Sequence, residues 1–358
     1  MTRLIEILIS LAIVAALFLI VGIVLPASRH LSHSVETNRK MTIVFDTLNS
    51  MRRFKDWNVL VLKDPSMKLT LSGPDSGVGA KLAYDSKEKG LRTGSWEITA
   101  SEPGKKVAYA ITDIEPGKNK RSEFTLKPTG RGGRNVEITQ TYDVDYGWNL
   151  VGRYAGLYVS SSVGEDMKMS LQRLTNMLAA VPNFDYAELS KDDPAKAPKV
   201  VDRPAENLLV VTAAVERTNE KVNSQINANM EWIKKVMAAN GLEAAGPVRI
   251  VTNEFGAETY SFDVAQPVQK TGATDATAKL DVKVEGPVTA VYNEPAKVAM
   301  VPDFKGHMAN LPKVRDALRG WSLTHGYESI DRPYEAWKGG IAAGFTEDGT
   351  YDVFWAVK

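Results

Sequence analysis

The chain has no cysteine and four histidines, His30, His33, His307 and His325. Its chemistry must therefore be sought among carboxylates, cationic side chains and rings. Without thiols there is no thiolate nucleophile, no disulfide and no Cys-ligated zinc or iron–sulfur centre. His30 and His33 have no third ligand near them in sequence, and His325 stands where a helix should end, a position that favours capping. No metal or cofactor is expected. The most suggestive stretch is Tyr334-Glu335-Ala336-Trp337. Strand alternation sets Glu335 and Trp337 on one face and Tyr334 and Ala336 on the other. A carboxylate enclosed by rings costs several kcal/mol of desolvation, which a cationic ligand could offset through charge and cation–π attraction. That is the chemistry of binding. Catalysis would need a second polar group within about 3 Å of the reacting atom, a distance that a sequence does not give.

The elements that must position Glu335 come from an internal repeat in residues 207–358. Asn240-Gly241-Leu242, Pro247 and the strand 258–264 are echoed about 85 residues later by His325-Gly326-Tyr327, Pro333 and the strand 349–355. Val222, Ile226, Met230, Ile233 and Met237 form one apolar helical stripe, and Leu311, Val314, Leu318 and Trp321 form another. A strand precedes each helix, so the unit is strand, helix, two strands, repeated. Two such units predict one antiparallel sheet with both helices on one face and a cleft near the pseudo-twofold axis. Tyr260, Phe262, Tyr292, Tyr327 and Trp355 are the rings that could line the cleft beside Glu335 and Trp337. Aligning Pro247-Val248-Arg249 with Pro333-Tyr334-Glu335 offers the opposing reading, in which Arg249 faces Glu335 across the axis and pairs with it.

Asn240-Gly241, Gly246-Pro247, Tyr260 to Val268 ending in Gln266-Pro267-Val268, Gly326-Tyr327 and Arg332-Pro333-Tyr334-Glu335-Ala336-Trp337 make this half similar to the GyrI-like effector-binding family. The resemblance implies a cleft for a small hydrophobic or cationic aromatic molecule. It puts Glu335 in the place of the family's cleft glutamate and Trp337 in that of an aromatic residue, commonly tyrosine. The tryptophan keeps a stacking face and lacks the phenolic hydroxyl.

Residues 29–185 read differently. A strand over 32–37 and a helix over 40–54 precede a run of strand-like stretches, 67–72, 81–84, 96–100, 107–114, 123–126 and 136–144, separated by turn residues. Gly77-Val78-Gly79 imitates a phosphate loop but leads into a strand, so it reads as a hairpin turn; residues 130–133 read as a hairpin tip. Val163, Met167, Leu171, Leu174, Leu178 and Val181 then predict a long helix packed on an antiparallel meander. Phe45-Asp46-Thr47-Leu48, Phe54-Lys55-Asp56-Trp57, Gly73-Pro74, Gly77-Val78-Gly79-Ala80, Gly94-Ser95-Trp96-Glu97-Ile98 and Pro103-Gly104-Lys105 resemble the START-like (SRPBCC), polyketide-cyclase-type helix-grip family, in its membrane-anchored bacterial branch. That resemblance implies a ligand cavity between sheet and helix.

Residues 7–25 run without a charge, 19 residues covering about 28 Å, enough to cross a bilayer. Pro26 ends the run and Leu25 spoils a cleavage site, so residues 4–26 are expected to be an uncleaved, single-pass anchor, in a bacterial inner membrane. The count of Lys and Arg favours a cytoplasmic body, while a short tail before a large C-terminal body favours translocation. The side of the soluble domains stays open. Residues 186–206, rich in Lys, Asp, Ala and Pro, read as a linker, and residues 270–283 as an exposed excursion. A net charge of +1 supplies no field for nucleic acid, and none is expected as a partner.

The expected fold is therefore α+β: one transmembrane helix, a helix-grip domain, and a duplicated β-α-β-β effector-binding domain. The leading function is a membrane-anchored small-molecule sensor or carrier. The alternatives are a hydrolase or cyclase working through Glu335 on a small hydrophobic substrate, and an envelope protein-interaction module.

Overall fold

The computed structural model describes residues 2–358. It divides into two compact units, one running to Val181 with Thr324–Gly326, the other Pro182–Leu323 with Tyr327–Lys358. The first begins with α1 (Thr2–Val24). Among the described residues this is the one helix long and apolar enough to cross a membrane. Residues 3–24 are exposed, with Gly22 the buried exception, unlike a core helix, which hides its apolar residues.

Then follow β1 (Ser28–Thr37), α2 (Met41–Asn49), α3 (Phe54–Trp57), α4 (Leu60–Lys63), β2 (Lys68–Ser72), β3 (Lys81–Asp85), β4 (Thr93–Glu102), β5 (Lys106–Thr112), β6 (Lys118–Thr129), β7 (Asn135–Asp145), α5 (Leu150–Ala155) and α6 (Val159–Ala179). The seven strands pair antiparallel in the order β1-β7-β6-β5-β4-β3-β2, a helix-grip-like curled sheet. Strict alternation of exposure along β7 turns Val136, Ile138, Gln140, Tyr142 and Val144 inward. On α6 the buried side is built from Met167, Ser170, Leu171, Leu174 and Leu178. The single helix expected over 40–54 is broken. Ser50 takes an extended conformation (φ −108°, ψ 115°) and bridges to Ser76, which ends α2 and leaves a 3-10 turn and two short helices behind it.

The second unit is a β-rich region with β8 (Lys199–Arg203), β9 (Glu206–Glu216), α7 (Asn219–Asn240), β10 (Leu242–Ala244), β11 (Arg249–Phe255), β12 (Thr259–Lys270), β13 (Thr289–Asn293), β14 (Ala296–Lys305), α8 (Leu311–Thr324), β15 (Tyr334–Trp337), α9 (Gly340–Gly344) and β16 (Thr350–Ala356). The strand order is β13-β9-β12-β11-β15-β16-β14-β8. In it β9-α7-β11-β12 and β14-α8-β15-β16 are mirrored about the β11/β15 pair. Thr218 caps α7, accepting from Lys221 N, and Gly241 ends it in the left-handed conformation at φ 58°.

Residues 186–206 are more than a linker. They contain two 3-10 turns and β8, which pairs with β14 from Met300 to Ala296. Val200 packs against the core of this unit, so the charged, proline-rich composition hid a short edge strand. The excursion at 270–283 is also anchored: Leu280 and Val282 lie against the same core, and the Asn207 side chain bonds Ala278 O and Leu280 N, both at 2.9 Å.

Candidate functional site

Two places could hold chemistry, one in each unit. In the first, five rings close a circuit between sheet and helices: Phe54–Trp57 at 5.2 Å, Trp57–Phe124 at 5.4 Å, Phe124–Tyr109 at 5.8 Å, Tyr109–Trp96 at 5.8 Å and Trp96–Phe54 at 5.1 Å. The Tyr109 hydroxyl donates to Leu48 O, which fixes α2 to the sheet. This block fills one part of the space under α6. A cavity of about 170 Å³ remains beyond Trp96, walled by Tyr84, Ile111, Gln140 and Tyr142 from the sheet, Val163, Met167 and Ser170 from α6, and Asn58 to Leu60.

The wall has three kinds of polar group. Gln140, 3% exposed, donates Nε2 to Ser122 Oγ at 3.1 Å, while its Oε1 has no protein partner. A buried acceptor in that state costs about 1–3 kcal/mol unless something donates to it. Burial, reinforced by Asp113 and Glu115, pushes the Tyr84 phenol up to about 12; Tyr142 is raised by burial first and by Asp113 next. Both stay neutral donors at physiological pH. At the rim are Asp113, Glu115, Lys63 and Asp166. Asp113 is paired with Lys120, whose Nζ also reaches Glu115 O at 2.6 Å, and Lys63 is paired with Asp166. The Lys63 pair is solvent-exposed, of a kind worth about 0–1 kcal/mol.

The raised phenols give a pH prediction. An unfolded chain ionises tyrosine near pH 10, whereas folded Tyr84 holds its proton to about 12. The folded state binds more protons between those values, so stability is full below pH 10 and falls as pH rises through about 12. Absorbance titration at 295 nm should show Tyr84, Tyr142, Tyr109 and Tyr351 lagging the exposed tyrosines until the fold is lost; normal ionisation of all twelve would refute these environments.

In the second unit Glu335 is 0% exposed, and the source of its counter-charge departs from expectation. Arg315 of α8, 7% exposed, donates Nε to Glu335 Oε1 at 2.5 Å. Burial works to lower the Arg315 value, but the carboxylate outweighs it and leaves it raised. Arg249 faces elsewhere: it grips Glu206 with two contacts of 2.7 Å and lies over the Tyr334 ring. The cause is register. Ile250, and not Arg249, stands opposite Glu335, and a shift of one residue reverses the face.

The seven expected site residues therefore do not form one lining. Glu335, Trp337, Tyr260 and Phe262 are buried at 0–2% exposure; Tyr260 packs on Phe262 at 4.7 Å, and Trp337 packs on Tyr351 at 5.4 Å. Tyr292 is half-buried on β13 with its hydroxyl on Thr277 O at 3.0 Å. Tyr327 stacks on Trp321, and Trp355 donates Nε1 to Asp331 O at 3.0 Å. Oε2 of Glu335 and Nε1 of Trp337 have no protein partner.

Sequence reasoning missed Arg315 and Gln140. Both carried a signal. Arg315 lies between Val314 and Leu318 on the apolar stripe of its helix, and Gln140 is a polar residue in the inward register of Val136, Ile138, Tyr142 and Val144. Among the described residues no group of three or more His, Asp or Glu is placed to hold a metal; His30 pairs with Asp143 at 2.8 Å.

Comparison with known proteins adds a family for part of the chain. Residues 28–179 match the family described as "Polyketide cyclase / dehydrase and lipid transport". This stretch is an SRPBCC/START-like domain, and its architecture is that of small-molecule-binding and lipid-transport domains. No curated protein matches the chain. Among solved structures it is similar to the EcmrR C-terminal domain at 17% identity, over 45% of this chain and 96% of that one, with a TM-score of 0.37. It is also similar to protein CV1439 from Chromobacterium violaceum at 12% identity, over 43% and 97%, TM-score 0.31. Norcoclaurine synthase from Thalictrum flavum matches at 13% identity, over 43% and 94%, TM-score 0.33. Likenesses this distant carry no argument about ligand or reaction.

Proposed function

We propose that the chain is a membrane-anchored small-molecule-binding protein, single-pass in a bacterial inner membrane, whose ligand is held in the first unit between the sheet and α6. The observation that carries this is the buried Gln140 Oε1 without a protein partner on the wall of an aromatic-lined cavity. A volume of about 170 Å³ is close to that of apolar cavities known to admit benzene. The favoured guest is a compact ring compound with one hydrogen-bond donor for Gln140, its apolar body against Trp96, Ile111 and Met167. The mirrored strand order of the second unit supports reading it as an effector-binding-type module of the GyrI-like kind. A cationic guest there would meet Arg315 already beside Glu335, so that unit is assigned no ligand of its own.

The test is titration calorimetry of the full chain in detergent with a matched pair, phenol and toluene. Phenol should bind more tightly, and Gln140→Leu should erase the difference, lowering phenol affinity about 5- to 13-fold, one net hydrogen bond of about 1–1.5 kcal/mol. Toluene affinity should hold or rise. Failure of both compounds to bind at millimolar concentration, or a Gln140→Leu effect equal for both, would remove this site.

A further inference from the structure

We infer that residues 148–158 form a lipid-interface foot, lying in the headgroup layer of the same bilayer that α1 crosses; the inference rests on the membrane-anchor part of the reading above and not on the ligand.

The junction is short and tied down. Only residues 25–27 separate α1 from β1, and Ala27 O accepts from Tyr146 N at 2.7 Å and Gly147 N at 3.2 Å. Arg153, 7% exposed, directs Nη1 at the carbonyls of Gly22 (3.3 Å), Ile23 (2.7 Å) and Leu25 (3.2 Å). These belong to the helix-terminal carbonyls that lack intrahelical partners. Its Nε bonds Gly147 O at 2.8 Å. One cation thus joins the end of α1 to α5, and α1 is held to the domain rather than hung on a tether.

Depth follows from the contacts. The Tyr154 ring stacks on Phe18 at 4.5 Å and 10°, with its hydroxyl on Phe18 O at 2.8 Å. Gly22 makes the room: a Cβ there would stand 3.2 Å from Tyr154 Cε2 and 3.3 Å from Leu150 Cβ. Phe18 lies seven residues before Leu25, about 10 Å down the helix axis. The uncharged stretch of about 28 Å barely matches a hydrocarbon core of about 30 Å. If α1 spans that core, its last turns cannot be drawn out into water, and the α5 residues packed on them must go down to meet the lipid.

The outward face fits that position. Trp148 is 81% exposed, Val151 66%, Leu157 49% and Tyr158 69%. Residues 147–158 contain one charged side chain, Arg153, and it is turned inward. Tryptophan and tyrosine with an apolar body and a polar edge prefer the membrane–water boundary. One consequence concerns the cavity. Ser28, Asp145 and Lys118 are cross-strand partners at this end of the sheet, so the β5–β6 turn bearing Ile114 lies there, as does the start of α6 bearing Val163. Both residues line the cavity, whose near wall therefore belongs to the lipid-facing end.

The chain has no cysteine, so one introduced cysteine gives a unique nitroxide label. The full chain in phosphatidylcholine–phosphatidylglycerol nanodiscs would be labelled at Leu11→Cys, Val151→Cys, Leu157→Cys and Thr125→Cys, and collision with oxygen compared with that of a nickel chelate. Oxygen should dominate severalfold at position 11, the two relaxants should act comparably at 151 and 157, as at the headgroup boundary, and the chelate should dominate at 125. Chelate-dominated labels at 151 and 157 with an oxygen-dominated label at 11 would overturn the foot and leave the anchor standing. A chelate-dominated label at 11 would overturn both.

Discussion

Replacing Arg315 by methionine should destabilise the protein by about 3–5 kcal/mol, the range for breaking a buried ion pair from one side. Glu335 has 0% exposure and would be left without the guanidinium at 2.5 Å that neutralises it. The expected result is a marked fall in the urea midpoint for the second unit with an unchanged slope, because the surface exposed on unfolding is the same. The double variant Arg315→Met/Glu335→Met should recover most of the loss, since a well-packed apolar pair often replaces a buried ion pair at no cost. Non-additivity of that size identifies direct coupling. A single-variant cost under about 1 kcal/mol, the range of exposed pairs, would contradict the buried pair and reopen the carboxylate to a guest. Arg249→Met is the internal control. Its partner is Glu206, so its effect should add to that of Glu335→Met rather than couple with it.

The contrast between Arg315 and Arg249 shows where the sequence was legible. Periodicity located α6, which the apolar stripe put at 161–181 and the structure has at Val159–Ala179, and alternation located β7 within a residue at each end. These signals are local. The partner of Glu335 depends on which residue of β11 stands opposite it, and a one-residue error in aligning the two halves, invisible to composition, exchanged the faces. The cavity was harder still. Its existence depends on five rings from four elements filling only part of the space under α6, a sum over distant side chains that no window reads. Short helices failed for a related reason: α3 and α4 are held by Trp57 and Ser170, the latter accepting from Val59 N at 3.0 Å, and their own periodicity is too brief to be seen. The Trp148–Tyr158 segment has no periodic or motif signal of its own, because only contact with Phe18 and Gly22 gives its exposed rings a meaning.

Gly94→Ala tests the wall of the cavity through the backbone that carries it. Elsewhere in a strand this change would stabilise, because glycine loses more chain entropy on folding, by roughly 0.5–1 kcal/mol. At Gly94 the added Cβ would fall 2.3 Å from Tyr84 Oη and 2.4 Å from Thr112 O. The first contact could be relieved by moving a side chain. The second is main chain of β5, paired with β4 at Ser95↔Thr112, so the strands must separate. Overpacking of this kind costs about 1–3 kcal/mol, occasionally more, which outweighs the entropic gain. The variant should therefore lose stability and displace Tyr84, bringing its phenol back toward an ordinary ionisation near pH 10. Tyr84→Phe in the same chain removes the Oη clash but leaves the ring Cζ, also at 2.4 Å, and the Thr112 carbonyl, so rescue should be slight. Full rescue would mean that the Tyr84 hydroxyl alone demands the glycine. Equal or greater stability of Gly94→Ala would show that β4 and β5 are not packed as closely as the Thr112 carbonyl requires.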